Sequence, residues 1–357
     1  MLMAKNAGMK YITITSRHHD GFSMFDSNAS DYNIVKKTPY GKDILKLLAE
    51  ACRKHDIKLF FYYSQLDWYR DDYFPRGRTG LGINGRGEGK WENYIDFMKA
   101  QLTELLTNYG KIGGIWFDGQ WDQHEWDGKR FGKINVDFKL KEVYDLIHKL
   151  QPHALIGSNH HLAPNPGEDF QMFEKDLPGK GTKDFATSKN DIGNLPLEVC
   201  ETINGSWGFN LKDRKHKSEK ELIQYLIKAA GYGSNLLLNV GPMPNGEIQE
   251  EHINSLEKIG KWVKKFGETI YHTRKGPTDP TNQLVSTRKD GKVFLHVLDS
   301  SKENIVLENF DEKIRSIKYF GSNQKIKYSH KKNSLKIYLD KEKINNIDTI
   351  LEVDVKI

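Results

Sequence analysis

Residues 58–64 read KLFFYYS and residues 235–240 read NLLLNV, and these apolar runs decide the fold. A strand that is apolar at almost every position is buried on both faces, which is typical of a parallel sheet covered by helices. Five other short apolar runs alternate with helical patterns along the chain. We predict strands over residues 11–15, 58–64, 112–118, 154–158, 170–174, 197–202 and 235–240.

Amphipathic helical patterns lie between these strands. In the first, Ile44, Leu48 and Ala51 recur at i, i+4 and i+7 and mark one helix face. Further helices are predicted over residues 95–105, 138–150, 219–230 and 251–266. The alternation predicts an α/β fold with a parallel sheet. A (β/α)8 barrel has eight strands. The sequence offers seven, preceded by the end of a helix, so we predict a TIM-like barrel that is incomplete at its N-terminus.

A doubly wound open sheet is the rival architecture. It usually carries a glycine-rich phosphate-binding turn after a strand, and the sequence shows none. After residue 272 the pattern changes to short alternating strands, such as VFLHVLD and SLKIYLD, separated by turn residues. We therefore predict two domains, a barrel over residues 1–272 and a small C-terminal all-β sandwich over residues 273–357.

Composition excludes several classes of protein. The 357 residues include 54 Lys and Arg and 48 Asp and Glu, so the formal net charge is only +6. The basic residues are scattered, which argues against nucleic-acid binding. A mean hydropathy of −0.67 and the lack of a long apolar run argue against a membrane protein. Cys52 and Cys200 cannot form a disulfide framework. No signal-peptide pattern opens the chain, which favours a cytoplasmic location. The oligomeric state is not indicated.

A carboxylate follows the strand that ends in IWFDG. Alternation places Trp116 and Asp118 on the face opposite Ile115 and Phe117. If the apolar pair meets the helices, Trp116 and Asp118 point into the mouth of the barrel, where barrel active sites lie. A buried carboxylate is costly unless it is hydrogen-bonded or functional. Asp118 is therefore a candidate catalytic residue, the alternative being that it caps the following loop.

Two glutamates are candidate partners for this aspartate. Glu174 ends the strand predicted over residues 170–174, and Glu198 lies in the strand predicted over residues 197–202. Two carboxylates surrounded by aromatic side chains are typical of the active site of a glycoside hydrolase. One attacks the anomeric carbon while the other protonates the departing oxygen. Trp207 is a candidate aromatic wall for a sugar.

Histidine and tyrosine side chains complete the candidate site. In the run RHHDGF, His18 and His19 would point to opposite faces of a regular strand, but Gly21 can break the strand so that both face a ligand. Hydrogen bonding to a polyhydroxyl ligand is favoured. A metal site is the alternative, although no further ligand with suitable spacing is evident, and a structural pair is another. Tyr62 either projects its phenol inward or belongs to the core.

Five stretches together resemble α-L-fucosidases of glycoside hydrolase family 29. They are RHHDGF (17–22), IWFDG (115–119), FEKDLPG (173–179), SWGF (206–209) and NLLLNVGP (235–242). The similarity runs from about residue 4 to residue 271, and the C-terminal sandwich also suits the family. The resemblance implies a retaining exo-hydrolase that removes terminal α-L-fucose from oligosaccharides or glycoconjugates without a metal or organic cofactor.

The resemblance also implies roles for individual residues. Asp118 maps onto the nucleophile and Glu174 onto the general acid/base, with Glu198 as the alternative acid. The positions that map onto fucose-binding residues are His18, His19, Tyr62, Trp116 and Trp207. Some relatives place an arginine just after the strand that here ends SNHH (158–161), where this chain has histidine.

The chain departs from the family pattern at its start. Family members have a first barrel strand with an F-x-H-W-G motif, followed by a Glu/Trp loop, and this sequence contains neither. Because an open barrel exposes strand edges, we expect this polypeptide alone to be poorly stable and weakly active or inactive. The other hypotheses are a non-catalytic remnant that at most binds sugar and a barrel hydrolase for another sugar.

Overall fold

The computed structural model describes residues 1–129, 131–183 and 185–356. The chain divides into two compact units. The first comprises Met1–Lys5 and Met9–Glu198, and the second comprises Asn6–Gly8 and Val199–Ile357. None of the helices in the described part is long and apolar enough to cross a membrane. The domain boundary between residues 272 and 273 stays a prediction.

Helices and strands alternate through about the first three quarters of the chain, and strands with short 3-10 turns follow. The helices are α1 (Leu2–Asn6), α2 (Ile34–Lys37), α3 (Ile44–His55), α4 (Trp91–Thr107), α5 (Leu140–Leu150), α6 (Glu219–Gly231) and α7 (Glu250–Phe266). The strands are β1 (Tyr11–Arg17), β2 (Lys58–Ser64), β3 (Gly114–Asp118), β4 (His124–Trp126), β5 (Phe131–Ile134), β6 (Leu155–Asn159), β7 (Phe170–Glu174), β8 (Leu197–Thr202), β9 (Ser234–Asn239), β10 (Arg274–Lys275), β11 (Leu284–Lys289), β12 (Lys292–Val297), β13 (Asn304–Leu307), β14 (Ile314–Tyr319), β15 (Tyr328–Lys331), β16 (Ser334–Tyr338) and β17 (Thr349–Val355).

A parallel sheet carries the barrel part of the fold. Within the described residues it has seven strands in the order β1-β2-β3-β6-β7-β8-β9. The first of these strands pair in parallel, as β1 with β2, β2 with β3, β3 with β6 and β6 with β7. Ser64 of β2 pairs with Asp118 of β3, which pairs with Asn159 of β6. The prediction of an incomplete (β/α)8 barrel is confirmed, and three polar residues stand level at one edge of its sheet.

The apolar face of β3 packs against helices, as its alternation predicts. Ile115 and Phe117 are fully buried in one core cluster with Leu102 and Leu105 of α4. Trp116 and Asp118 therefore lie on the opposite face. Gly114 lets β3 approach β6 closely, because a Cβ at this position would lie 2.0 Å from the Leu155 carbonyl oxygen.

Helix α3 shows how local sequence sets the ends of an element. The Asp43 side chain accepts a hydrogen bond from the Lys46 backbone N–H at 3.0 Å and so caps the first turn. Arg53, Lys54 and His55 occupy the last turn, where positive charge complements the helix dipole. The helix then stops at Asp56, which has a left-handed φ of 56°.

A two-stranded hairpin, β4 with β5, follows β3 and was not predicted. Its strands are only three and four residues long. Its sequence, HEWDGKRFGKI, has too few apolar positions for a clear alternation. Contacts between distant rings, described below, hold it in place.

The C-terminal strands form an antiparallel sandwich, which confirms the prediction of an all-β region. One sheet has the order β10-β11-β12-β17-β14 and the other has the order β13-β16-β15. Leu295 and Leu351 of the first sheet share a core with Ile305 and Leu335 of the second. Two sheets that bury their apolar faces against each other are the sandwich arrangement.

Candidate active site

Asp118 is the last residue of β3 and is 8% exposed. Its Oδ1 accepts hydrogen bonds from the Gly119 backbone N–H at 2.7 Å and from the Trp121 indole at 3.0 Å. Its Oδ2 accepts a hydrogen bond from the Tyr62 hydroxyl at 2.7 Å. Burial raises the pKa of Asp118 above its ordinary value, and these hydrogen bonds oppose the rise because they stabilise the charged form. The carboxylate is desolvated and held in one orientation.

Asn159 joins Asp118 to Glu174, which ends β7. The Asn159 Nδ2 atom donates to Glu174 Oε2 at 2.9 Å and lies 3.4 Å from Asp118 Oδ1. Because they share this nitrogen, the two carboxylate oxygens are no farther apart than the sum of these distances, 6.3 Å. The structure thus brings together two acids that the sequence places 56 residues apart, since they occupy positions 118 and 174.

His18, Tyr62 and Trp116 form a row of rings beside Asp118. The His18 and Tyr62 rings are nearly parallel, at 3°, with centroids 5.2 Å apart. The Tyr62 and Trp116 rings are 5.4 Å apart at 24°. Burial raises the pKa of Tyr62 well above its ordinary value, and the neighbouring Asp118 charge adds to the rise. The phenol therefore stays protonated and acts as a donor.

His19 is buried behind this row and presents one nitrogen to the site. The Ser64 hydroxyl donates to the Leu66 carbonyl at 2.6 Å, so its oxygen accepts from His19 Nδ1 at 2.7 Å. The proton is thereby assigned to Nδ1, and Nε2, which lies 3.6 Å from Asp118 Oδ2, carries a lone pair. Burial lowers the pKa of His19 to about 3, and the neighbouring His18 adds to this effect. A neutral imidazole with Nε2 as an acceptor suits a sugar hydroxyl.

The alternative of a metal site at His18 and His19 gains no support from the geometry. Within residues 1–129, 131–183 and 185–356, no group of three or more His, Cys, Asp or Glu side chains is arranged to hold a metal ion. His19 Nδ1 is instead engaged by the Ser64 hydroxyl, which leaves Nε2 to accept a hydrogen bond from an organic ligand.

A buried ion pair supports the loop that carries the two histidines. Arg17 is fully buried and pairs with Asp67, and it also donates to the Tyr94 hydroxyl at 3.0 Å. Next to Asp67, the Trp68 backbone N–H donates to the His19 carbonyl at 2.7 Å. A buried charge pair with further hydrogen bonds is costly to break. These contacts therefore fix the position of the loop that carries His18 and His19.

Glu198 occupies a different environment from Glu174. It is 5% exposed and accepts hydrogen bonds from the Trp116 indole at 2.7 Å and from the Tyr11 hydroxyl. Burial raises its pKa. Glu198 therefore ties β8 to β1 and β3, whereas Glu174 shares the amide of Asn159 with Asp118. This difference favours Glu174 over Glu198 as the partner of Asp118.

His161 lies just after β6, beside Glu174. Its Nε2 lies 3.8 Å from Glu174 Oε2, and its ring stacks on Phe131 of β5 at 5.9 Å and 13°. The ring centroids of His161 and Phe185 are 5.1 Å apart. Burial lowers the pKa of His161 to about 3. A neutral ring, not a permanent cation, therefore faces Glu174.

Trp207 lies in the loop after β8, in the second unit, and is 39% exposed. Its backbone carbonyl accepts a hydrogen bond from the Asn239 side chain at 2.7 Å. Its part in sugar binding stays a prediction, as do the roles assigned to the other site residues.

Sequence reasoning missed Asn159, Trp121 and His161 as members of the site. Each lies at or just after the end of a barrel strand, which is the position where barrel sites form. That rule could have nominated them, but it could not give their side-chain contacts. Trp121 and Asn159 both donate to Asp118, and His161 packs beside Glu174.

A (β/α) barrel with two carboxylates joined through Asn159 is typical of the class of (β/α)-barrel glycoside hydrolases. A family model described as alpha-L-fucosidase matches residues 1–268. The chain belongs to this family, and the resemblance to family 29 is confirmed.

Relatives and solved structures agree with this membership. Alpha-L-fucosidase 1 of Arabidopsis thaliana is 27% identical over 277 residues, which are 72% of this chain and 49% of that protein. Alpha-L-fucosidase isoenzyme 1 from Paenibacillus thiaminolyticus has a TM-score of 0.82 at 29% identity, covering 100% of this chain and 85% of that one. A Thermotoga maritima alpha-fucosidase in complex with fucose has a TM-score of 0.76 at 26% identity, covering 98% of this chain and 77% of that one. The chain spans about half the length of the curated relatives it matches.

Proposed function

We propose that this chain is a retaining α-L-fucosidase that hydrolyses terminal α-L-fucosyl linkages of oligosaccharides or glycoconjugates. The observation that carries the proposal is the amide nitrogen shared by Asp118 and Glu174, which keeps their oxygens within 6.3 Å. Retaining glycosidases hold their carboxyl groups about 5–5.5 Å apart, and inverting enzymes about 6.5–9.5 Å apart. The fucose complex of the Thermotoga maritima relative supports the choice of sugar.

In the first step Asp118 attacks the anomeric carbon of fucose. Its Oδ1 accepts three hydrogen bonds, whereas its Oδ2 accepts one, from Tyr62. Oδ2 therefore keeps more electron density for attack, and we assign it as the nucleophilic atom. Glu174 donates a proton to the glycosidic oxygen as the bond to the leaving group breaks.

In the second step the covalent fucosyl-aspartate is hydrolysed. Glu174, now a carboxylate, takes a proton from a water molecule that attacks the anomeric carbon on the side that the leaving group has vacated. The bond to Asp118 breaks and the carboxylate is restored. Two inversions give net retention of configuration.

The surrounding side chains bind the sugar in this proposal. The lone pair of His19 Nε2 accepts a hydrogen bond from a fucose hydroxyl, and the exposed imidazole of His18 lies beside it, with ring centroids 4.1 Å apart. The rings of Tyr62 and Trp116 supply apolar surface for the C6 methyl group and the ring hydrogens. The residues assigned to both steps lie within the proposed barrel domain, residues 1–272, and the steps use no metal or organic cofactor.

Azide rescue tests the two carboxylate roles with one reagent and two variants. The variant Asp118→Gly should lose nearly all hydrolysis of 4-nitrophenyl α-L-fucoside. Azide should then attack from the face left open by the missing nucleophile and give β-L-fucosyl azide. The variant Glu174→Ala keeps Asp118, so azide should open the covalent intermediate and give α-L-fucosyl azide. Identifying each azide by NMR decides the assignment, and the opposite pair of products would reverse it.

A further inference from the structure

The hairpin β4–β5 stands beside the proposed acid. Phe131 of β5 stacks on His161, and His161 Nε2 lies 3.8 Å from Glu174 Oε2. Trp126 of β4 contacts Phe131 with ring centroids 4.8 Å apart. The rings of Trp126 and Phe131 are only partly buried. Two partly exposed rings thus lie one side chain away from the group that protonates the leaving oxygen.

Contacts with Arg78 hold the rings of the hairpin and of Trp121 in one cluster. The Arg78 guanidinium carbon lies 5.4 Å from the centroid of Phe131, 5.7 Å from that of Trp121 and 6.0 Å from that of Trp126. Cation–π attraction at such distances stabilises the arrangement. Arg78 Nη2 also donates to the Trp121 carbonyl at 2.8 Å, and Trp121 donates to Asp118. The cluster therefore connects to the site at both of its carboxylates.

We propose that Phe131 and Trp126 form the binding site for the sugar to which fucose is attached. This inference rests on the proposed function, since it places the leaving group on the side of Glu174. The acid must reach the glycosidic oxygen, so the ring that carries this oxygen lies next to the acid. Ligand sites are lined mainly by apolar and aromatic side chains with a few polar groups. A pyranose ring has C–H faces that stack on such rings, so the ligand is an acceptor sugar and not a small alkyl group.

Two fucosides whose alkoxide leaving groups both need protonation separate this role from acid catalysis. Methyl α-L-fucoside needs protonation by Glu174 but has no ring to stack. A fucosyl disaccharide, taken as the fastest of a panel of (1→2), (1→3), (1→4) and (1→6) linkages, needs the same protonation and presents a ring. The variant Phe131→Ala should lower kcat/KM for the disaccharide about fivefold, with most of the change in KM. Its kcat/KM for methyl α-L-fucoside should stay within twofold of the wild type.

Control variants keep the outcome clear. Phe131→Leu retains the apolar volume without a flat ring and should show the same selective loss if Phe131→Ala is poorly folded. Tyr338→Ala removes another exposed ring, on β16, and should not change kcat/KM for either substrate.

Parallel losses on both fucosides would mean that the hairpin only positions the acid, and would overturn the inference. Equal efficiency of the wild type on both fucosides would overturn it too. A wild type that hydrolyses no α-L-fucoside would instead overturn the proposed function.

Discussion

In the proposed mechanism, the hydrogen bond from Tyr62 to Asp118 helps to set the lower pH limit of activity. Asp118 must be charged to attack, and burial raises its pKa while the Tyr62 bond lowers it. In Tyr62→Phe the pKa-lowering effect of this hydrogen bond is lost, so the pKa of Asp118 rises further. The acid limb of kcat/KM against pH should therefore move to higher pH. The free enzyme's profile with 4-nitrophenyl α-L-fucoside measures this shift.

Tyr63 offers a matched control for this prediction. It neighbours Tyr62 on β2, but its hydroxyl donates to Gln101 at 2.9 Å on the other face of the strand. Tyr63→Phe should lower stability without moving the acid limb. An acid limb that stays in place in Tyr62→Phe, or that moves equally in both variants, would contradict the role given to this hydrogen bond.

The choice between Glu174 and Glu198 as the acid can be made from leaving groups. A 4-nitrophenolate departs with little protonation, whereas a sugar alkoxide needs a proton. Glu174→Ala should therefore lose about 100-fold more kcat/KM on a fucosyl disaccharide than on 4-nitrophenyl α-L-fucoside. Glu198→Ala removes the acceptor of Trp116 and Tyr11 and should lower both rates alike. The selective pattern in Glu198→Ala would transfer the acid role to that residue.

At the scale of single elements, the tight contact between β3 and β6 depends on Gly114. A methyl group there would lie 2.0 Å from the Leu155 carbonyl oxygen and 2.8 Å from the Phe60 ring, so a backbone shift is unavoidable. Gly114→Ala should destabilise the protein by about 3 kcal/mol, at the upper end of overpacking effects. Urea unfolding followed by circular dichroism measures this. Gly82→Ala, where a Cβ meets nothing within 4 Å, should change the midpoint little.

Elements differ in how far the sequence predicts them. The strands β2, β7 and β8 begin and end at the predicted residues. In β2, a continuous apolar run between polar residues marks a strand buried on both faces. The hairpin β4–β5 was not predicted because its partners lie far away in the sequence. One of them is Arg78, 48 residues before Trp126, whose guanidinium contacts the Trp126 ring. No local pattern contains such a partner. The proposed acceptor site therefore had no signal in the sequence beyond its aromatic residues.

At the scale of the molecule, the site exists only because separate strands end at one edge of the sheet. The sequence could nominate Asp118 and Glu174, since each ends an apolar run. It could not give their separation, which depends on the register of β3 against β6 and on the direction of the Asn159 side chain. The same limit applies to His19, whose tautomer follows from Ser64, a residue 45 positions away.

In the proposed function, the stereochemistry of the whole reaction follows from this separation. With the carboxylate oxygens no more than 6.3 Å apart through Asn159, there is little room for a water molecule between Asp118 and the sugar, so direct attack is expected. Proton NMR of early turnover should show α-L-fucose first, with the β anomer growing only at the rate of mutarotation. Authentic α-L-fucose in the same buffer gives that rate, and added methanol should yield methyl α-L-fucoside. If β-L-fucose forms first, a water molecule attacks directly, and Asp118 then acts as a general base and not as the nucleophile.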